Sequence, residues 1–266
     1  MPVKPISSAA NPAFRAWLRL ATQPREARRQ RRALAEGLHL AQAAVQAQAA
    51  VEAVLLRRGA GGGDAERLAE TALARGAQGF ELAPLLYDRL SPVEHGAGLM
   101  LLVAVPDAPL PARARHDLLY LDGVQDPGNV GTLLRTAAAA GIGEVLAGPT
   151  TAALWAAKTL RAGQGAHFRL RLHEGVPAEK LPAMLDGPWI GADARGGTPL
   201  WTAPLPEGPL GWIFGAEGGG LSAAARKVCA RCVSIPIDSA VESLNVAAAA
   251  AVCLFERRRR VYPSRQ

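Results

Sequence analysis

Residues 117–256 alternate short apolar runs with segments of helical length, and that alternation leaves few folds open. DLLYLDGV, EVLAGP, WIGAD, GWIFGAE and VSIPI read as strands, with HFRLRL as a further one. GNVGTLLRTAAAAG, closed by Gly141, reads as a helix, as do ALWAAKTLRAG, LPAMLDG, LSAAARKVC and SLNVAAAAAVCLFERRR. Strands joined through helices pair in parallel, and the helices then cover both faces of the sheet. The expected fold class is α/β with a mainly parallel sheet. Ligands bind such a sheet beyond the C-terminal ends of its strands.

The first hundred residues read differently. Residues 11–20 and 26–56 look largely helical, and LAEGLHLAQAAVQAQ puts Leu34, Leu38, Ala41 and Val45 on one helical face. Val51–Leu56 reads as a strand cut off by RRGAGGG, 64–76 as a short helix, and Met100–Val105 as a buried strand. Pro106, Pro109 and Pro111 then fall within six residues, which suits a linker. The expected division is a small α/β domain over 1–112 and the parallel-sheet domain over 113–266.

Charge is unevenly spread. The net charge is +7, and residues 1–35 hold eight Lys and Arg against Glu26 alone. Arg25, Arg28, Arg29, Arg31 and Arg32 lie within eight residues, and Arg257–Arg260 follow the last apolar helix. Arginine pairs bidentately with phosphate, so these clusters suit a nucleic acid; the alternative is two solvated basic surfaces. The start MPVKPISSAANPAF carries no long apolar stretch and no membrane-length run follows, so the expected compartment is the cytoplasm with no membrane partner. Cys229 and Cys232 form a CxxC without a second ligand pair and read as ordinary cysteines near a helix end; Cys253 stands apart.

Three segments place polar residues beyond strand ends. LDGVQDPGNVGTLLRTA carries Asn129 near a helix start and Arg135 further along it. These suit ligand or phosphate contact, or a turn and a helix surface. GWIFGAEGGGLS runs from Gly215 through Glu217 into three glycines, which allow close approach of backbone to a ligand. It is neither GxGxxG nor a phosphate loop, which argues against a dinucleotide or triphosphate cofactor. IPIDSAVESLNVAAAAAVCLFE reads as the end of a buried strand at Ile235–Ile237, a polar loop, and a helix from Leu244. There Ser243 either meets a ligand or caps the helix, and Asn245 either meets a ligand or hydrogen-bonds the loop.

GNVGTLLR, FGAEGGGLS and IPIDSAVESLNVAAAAAV resemble, in order and spacing, the three motifs of the SpoU/TrmH-type RNA ribose 2′-O-methyltransferases of the SPOUT class. The resemblance covers about residues 117–256. ISSAANPAF and QRRALAEGLHLAQAAV resemble the amino-terminal RNA-recognition domain of many members. The resemblance implies a deep trefoil knot, S-adenosyl-L-methionine held near Gly215, Ile235 and Leu244, and a homodimer with composite active sites. It implies catalytic roles for Asn129, Arg135, Glu217, Ser243 and Asn245, and RNA contact at Arg25, Arg28, Arg29, Arg31 and Arg32. The RNA expected is ribosomal, from the large subunit, before transfer RNA; a base methyltransferase and a catalytically weak RNA-binding member are the other readings. Ser239 stands where the family usually has glycine, and Ala247 where serine commonly follows Asn-Val.

Overall fold

The computed structural model describes residues 3–60, 62–91, 93 and 96–261. Its contacts group residues 1–107 with 155–168 in one unit, and 108–154 with 169–266 in a second.

In the first unit the chain runs β1 (Lys4–Ile6), α1 (Pro12–Thr22), α2 (Pro24–Gln30), β2 (Arg32–Glu36), α3 (Leu38–Gln46), β3 (Val51–Arg57), α4 (Gly63–Ala74), β4 (Gln78–Leu82), α5 (Pro84–Leu90) and β5 (Leu99–Ala104). The strands form one sheet in the order β1-β4-β3-β5-β2. The Asn11 side chain starts α1 by accepting from the amides of Ala13 and Phe14, with Pro12 at the first position. Phe14, Trp17 and Leu20 on one α1 face then pack with Leu34, Leu55 and Met100 of the sheet. Burying each such side chain contributes about 2 kcal/mol.

The long helix expected over 26–56 is broken here. Arg32–Glu36 pairs antiparallel with β5, from Arg32 opposite Ala104 to Glu36 opposite Met100. Gly37, at φ +89°, turns the chain from β2 into α3. Leu34 is therefore a strand residue, and the buried stripe of α3 is Leu40, Ala41 and Ala44. Ala33, Leu34 and Ala35 are all buried. A strand covered on both faces loses its alternation and cannot be told from a helix by period alone.

In the second unit come β6 (Leu118–Asp122), α6 (Pro127–Ala140) and β7 (Glu144–Ala147). Helix α7 (Ala157–Gly163) follows in the chain but groups with the first unit, where it packs on β2. The second unit resumes with β8 (Arg171–Glu174), β9 (Trp189–Ala192), β10 (Thr198–Pro199), β11 (Gly211–Gly215), α8 (Ala223–Val228), β12 (Cys229–Ser234) and α9 (Val246–Val261). The sheet order is β10-β12-β9-β11-β6-β7-β8, with every pair parallel. The central strands are buried throughout Leu118–Leu121 and Trp212–Phe214, and α6 packs against α9. Among the described residues no helix is long and apolar enough to cross a membrane.

Several boundaries differ from expectation. HFRLRL forms a 3-10 turn at Ala166–Phe168, and the strand starts only at Arg171. LPAMLDG is no α-helix. Ala178–Ala183 is 3-10, with Pro182 inside it lacking the N–H an α-helix needs. Ile235–Ile237 is not a buried strand end: β12 stops at Ser234 and Ile237 is 37% exposed. Cys229 and Cys232 are free and half-buried, and burial pushes the Cys229 thiol up to about 12, which suppresses thiolate chemistry.

The C-terminal arginines are absorbed by the fold. Arg257, 5% exposed, donates to Asp117 at 2.9 Å and to the carbonyls of Pro206 and Gly208. Arg258 donates to the Ala140 carbonyl. Arg259 and Arg260 pair with Glu256, and Arg260 also holds the carbonyls of Leu200 and Ala203. Hydrogen bonding from Arg259 draws the Glu256 carboxyl down to about 2. Arg257→Met should lower stability by about 2 kcal/mol, because it leaves two carbonyls unpaired and Asp117 with only the Leu210 amide; that amide and the partial exposure of Asp117 moderate the loss. Urea unfolding checks this, and an unchanged midpoint would show that the contact stabilises nothing.

Candidate active site

The C-terminal ends of β9, β11 and β12 open onto a cleft of about 290 Å³. Phe214, Val233, Ile235, Leu244 and Val246 make it apolar, and its charged lining residues are Asp193 and Glu217. Gly215, Ser243 and Asn245 also line it; Asn129 and Arg135 do not.

The rim after β11 is a tight turn in which Ala216 and Gly220 exchange both backbone hydrogen bonds, at 3.1 and 2.9 Å. A Cβ on Gly215 would lie 2.2 Å from the Gly220 carbonyl carbon and oxygen, so only glycine lets the turn fold back. Asp122, opposite Gly215 in the sheet, fixes the turn's exit by accepting from the Ser222 amide at 2.6 Å and hydroxyl at 3.2 Å.

Asn129, Glu217 and Asn245 meet although 88 and 116 residues separate Asn129 from its two partners. The Asn129 amide nitrogen donates to Glu217 Oε1 at 2.8 Å, and its carbonyl oxygen accepts from Asn245 Nδ2 at 3.0 Å. Asn245 in turn accepts from the Ala247 amide at 2.9 Å and the Ala248 amide at 3.3 Å. A carboxamide offers both donor and acceptor, which lets Asn129 link an anionic partner to an amide donor. Asn245, and not Ser243, therefore caps α9, which begins at Val246 rather than Leu244. Burial pushes the Glu217 carboxyl up, but bonds from Asn129 and backbone amides outweigh it and hold the group below the ordinary range. Glu217 is ionised at neutral pH. Its share of stability is present above the unfolded pKa and is lost as pH falls through the lowered folded value.

The Ser243 hydroxyl has no hydrogen-bond partner among the described residues. Arg135 is exposed on α6, six residues or about 9 Å along the axis from Asn129, and also lacks a partner among the described residues.

Asp193 was missed by the sequence reading. It sits just beyond β9, 7% exposed, where the strand-end rule would have flagged it. It accepts from the Arg195 amide at 3.0 Å and pairs with Arg226, while Arg195 holds the Gly218 carbonyl at 3.1 Å. Burial raises the Asp193 carboxyl, and these partners bring it below its ordinary value.

The amino-terminal arginines belong to the first unit, and all five are exposed. Arg29 pairs with Glu26, Arg31 with Asp107 and Arg32 with Glu52. Arg25 has no partner among the described residues.

The SpoU rRNA Methylase family model matches residues 117–255. The 23S rRNA (guanosine(2553)-2′-O)-methyltransferase RlmP of Bacillus subtilis is 33% identical over 262 residues, 96% of this chain and 100% of that one. The 23S rRNA (guanosine-2′-O-)-methyltransferase RlmB of Nitrosomonas europaea is 36% identical over 143 residues, covering 52% of this chain and 54% of RlmB. Among solved structures, the SpoU methyltransferase AviRb of Streptomyces viridochromogenes, in complex with AdoMet, superposes with a TM-score of 0.81. It is 25% identical and the match covers 96% of this chain and all of AviRb.

Proposed function

Because the chain belongs to the SpoU rRNA Methylase family, we propose that it transfers a methyl group from S-adenosyl-L-methionine to a ribose 2′-hydroxyl of large-subunit ribosomal RNA. The observation that carries this reading is the cleft itself, whose rim is locked by the Asn129–Glu217–Asn245 link. Its residues fit the cofactor. The walls are apolar enough for adenine, and the charged lining groups are two ionised carboxylates, which favour a cation.

S-adenosyl-L-methionine, when bound, supplies an electrophilic methyl group on a sulfonium centre. Phe214, Ile235 and Leu244 exclude water, and the turn at Gly215 offers backbone groups to the ligand. Asp193 and Glu217 set a negative field. A hydroxyl is a weak nucleophile, so the oxyanion forming on it needs a fixed positive partner. Arg135 takes that role and orients the acceptor. It does not take the proton, because guanidinium stays charged; a neighbouring RNA phosphate or solvent accepts it. Ser243, whose hydroxyl has no partner among the described residues, binds RNA phosphate or ribose, and Asn129 and Asn245 hold the loops.

Arg135 lies outside the cleft lining, which supports a homodimer in which one subunit's Arg135 completes a site centred on the other. We place the family's trefoil knot within 211–246, whose loops wall the cleft, and the protein in the cytoplasm with its RNA. Both named relatives act on guanosine of 23S rRNA, which favours ribosomal over transfer RNA. Mapping 2′-O-methyl positions in total RNA with and without the gene tests the reading. Loss of one mark in large-subunit RNA is expected; loss in transfer RNA overturns the substrate, and no loss overturns the activity.

The first unit then grips RNA through its basic face. Arg29, Arg31 and Arg32 are paired to acids, whereas Arg25 has no partner among the described residues, so Arg25 is the informative one to reverse. Arg25→Glu should weaken RNA binding severalfold and reduce the salt slope by roughly one, with cofactor affinity unchanged. Titrations at several salt concentrations check this, and an unchanged slope would make the patch merely solubilising.

A further inference from the structure

The first unit holds a second cavity, of about 180 Å³, that plays no part in the chemistry above. Leu34, Leu38, Leu90 and Met100 give it apolar walls, and Glu36 and Arg161 are charged residues in its lining. Both are half-buried. Glu36 accepts from the Ser91 hydroxyl and has no other hydrogen-bond partner among the described residues. The Arg161 guanidinium has no hydrogen bond or ion pair there at all, although its charge reaches Glu36. An acid and a base thus face one apolar cavity, close enough to feel each other but not paired. Partly buried charged groups left this way fit a ligand that supplies the missing partners.

The missing partners are specific. The carboxylate wants adjacent N–H donors, and the guanidinium fork wants two adjacent acceptors. A guanine ring carries both, N1–H and N2–H on one edge and O6 with N7 on the next, and the Arg contact with O6 and N7 is the commonest specific one to that base. Adenine would set its N1 acceptor against the carboxylate, and pyrimidines have no N7. The cavity is smaller than the roughly 300 Å³ at which drug-sized sites begin, so it suits a ring rather than a whole nucleotide. Extruded bases are held in this way, between apolar side chains with polar groups reading the edges.

We propose that this cavity takes one guanine base of the RNA substrate, with Glu36 accepting from N1–H and N2–H and Arg161 donating to O6 and N7. This rests on the RNA-methylating function proposed above.

Met100 lines the cavity, and Met184 is buried in the second unit, so methionine methyl resonances supply a probe and a reference in the full chain. The protein labelled at ¹³C-methionine is titrated with GMP, IMP and AMP. It is also titrated with a single-stranded RNA hexamer containing one guanine and with its adenine twin. GMP and the guanine hexamer should shift Met100 while Met184 stays still. IMP, which lacks the N2 amine, and the Glu36→Gln variant should each weaken binding about tenfold. Gln keeps the volume and an oxygen for Ser91, and unchanged Met184 with normal cofactor calorimetry certifies its fold. A still Met100, an equal response to AMP, or wild-type affinity in Glu36→Gln overturns the guanine site. A response to GMP but not to the guanine hexamer overturns its RNA source. Cofactor calorimetry and the methylation map report separately on the enzymatic function, so either proposal can fail while the other stands.

Discussion

Replacing Arg135 with alanine lowers kcat by about a hundred- to a thousandfold, the loss seen when one oxyanion donor is removed. The cofactor Kd should move by less than about twofold, because Arg135 is absent from the cleft lining. Arg135 is exposed on α6 and has no partner among the described residues, so its removal breaks no contact there that holds the fold. Lysine at 135 keeps the charge but not the planar fork, and should recover only part of the rate. Single-turnover rates and calorimetry on the two variants separate the effects. Near-normal turnover by Arg135→Ala would make the residue peripheral and remove the main support for a composite dimer site.

How much of this was legible in the sequence depended on where physics writes local signals. The second unit's alternation of apolar runs and helical segments is local, and strands β6, β7, β9 and β11 with helix α6 lie where it placed them. Strand β2 was hidden because burial of Ala33, Leu34 and Ala35 erased its two-residue period. LPAMLDG, residues 181–187, reads as a helix, but its first residues end the 3-10 turn Ala178–Ala183, where Pro182 has no N–H for an α-helix. At the site, Asn129, Glu217 and Asn245 were each visible as polar residues beyond strand ends. Their mutual hydrogen bonds were not, since no periodicity encodes a contact spanning 88 or 116 residues. Asp193 stands at a strand end, where its place alone was enough to flag it, but its pairing with Arg226, 33 residues on, is as invisible in the sequence as those contacts. Charge in the sequence counts cations without naming their partners. Arg257–Arg260 looks like a phosphate-binding run, yet its guanidinium groups fasten backbone carbonyls and two acids.

Gly215→Ala should raise the cofactor Kd about a hundredfold or more and take methyl transfer with it. The added Cβ would meet the Gly220 carbonyl carbon and oxygen at 2.2 Å and the Leu221 amide nitrogen at 2.6 Å. These are backbone atoms, so no rotamer change relieves the contact. Overpacking of about one methyl typically costs 1–3 kcal/mol when side chains can move, and here the backbone has to. The strand cannot yield easily, because Gly215 is the last residue of β11, parallel to β6 at Asp122. The turn must lift instead. Lifting it pulls Glu217 from Asn129 and loosens Gly218 from Arg195, so one methyl group disturbs the cleft rim and the polar link together. Gly218 and Gly219 provide the control, since a Cβ at either meets nothing within 4 Å. Alanine at 219 should leave the Kd within about threefold. Calorimetry on Gly215→Ala and Gly219→Ala, with circular dichroism to confirm both fold, decides the matter. Equal cofactor affinity in the two variants would mean that the turn's close approach to β11 is not what shapes the cofactor site.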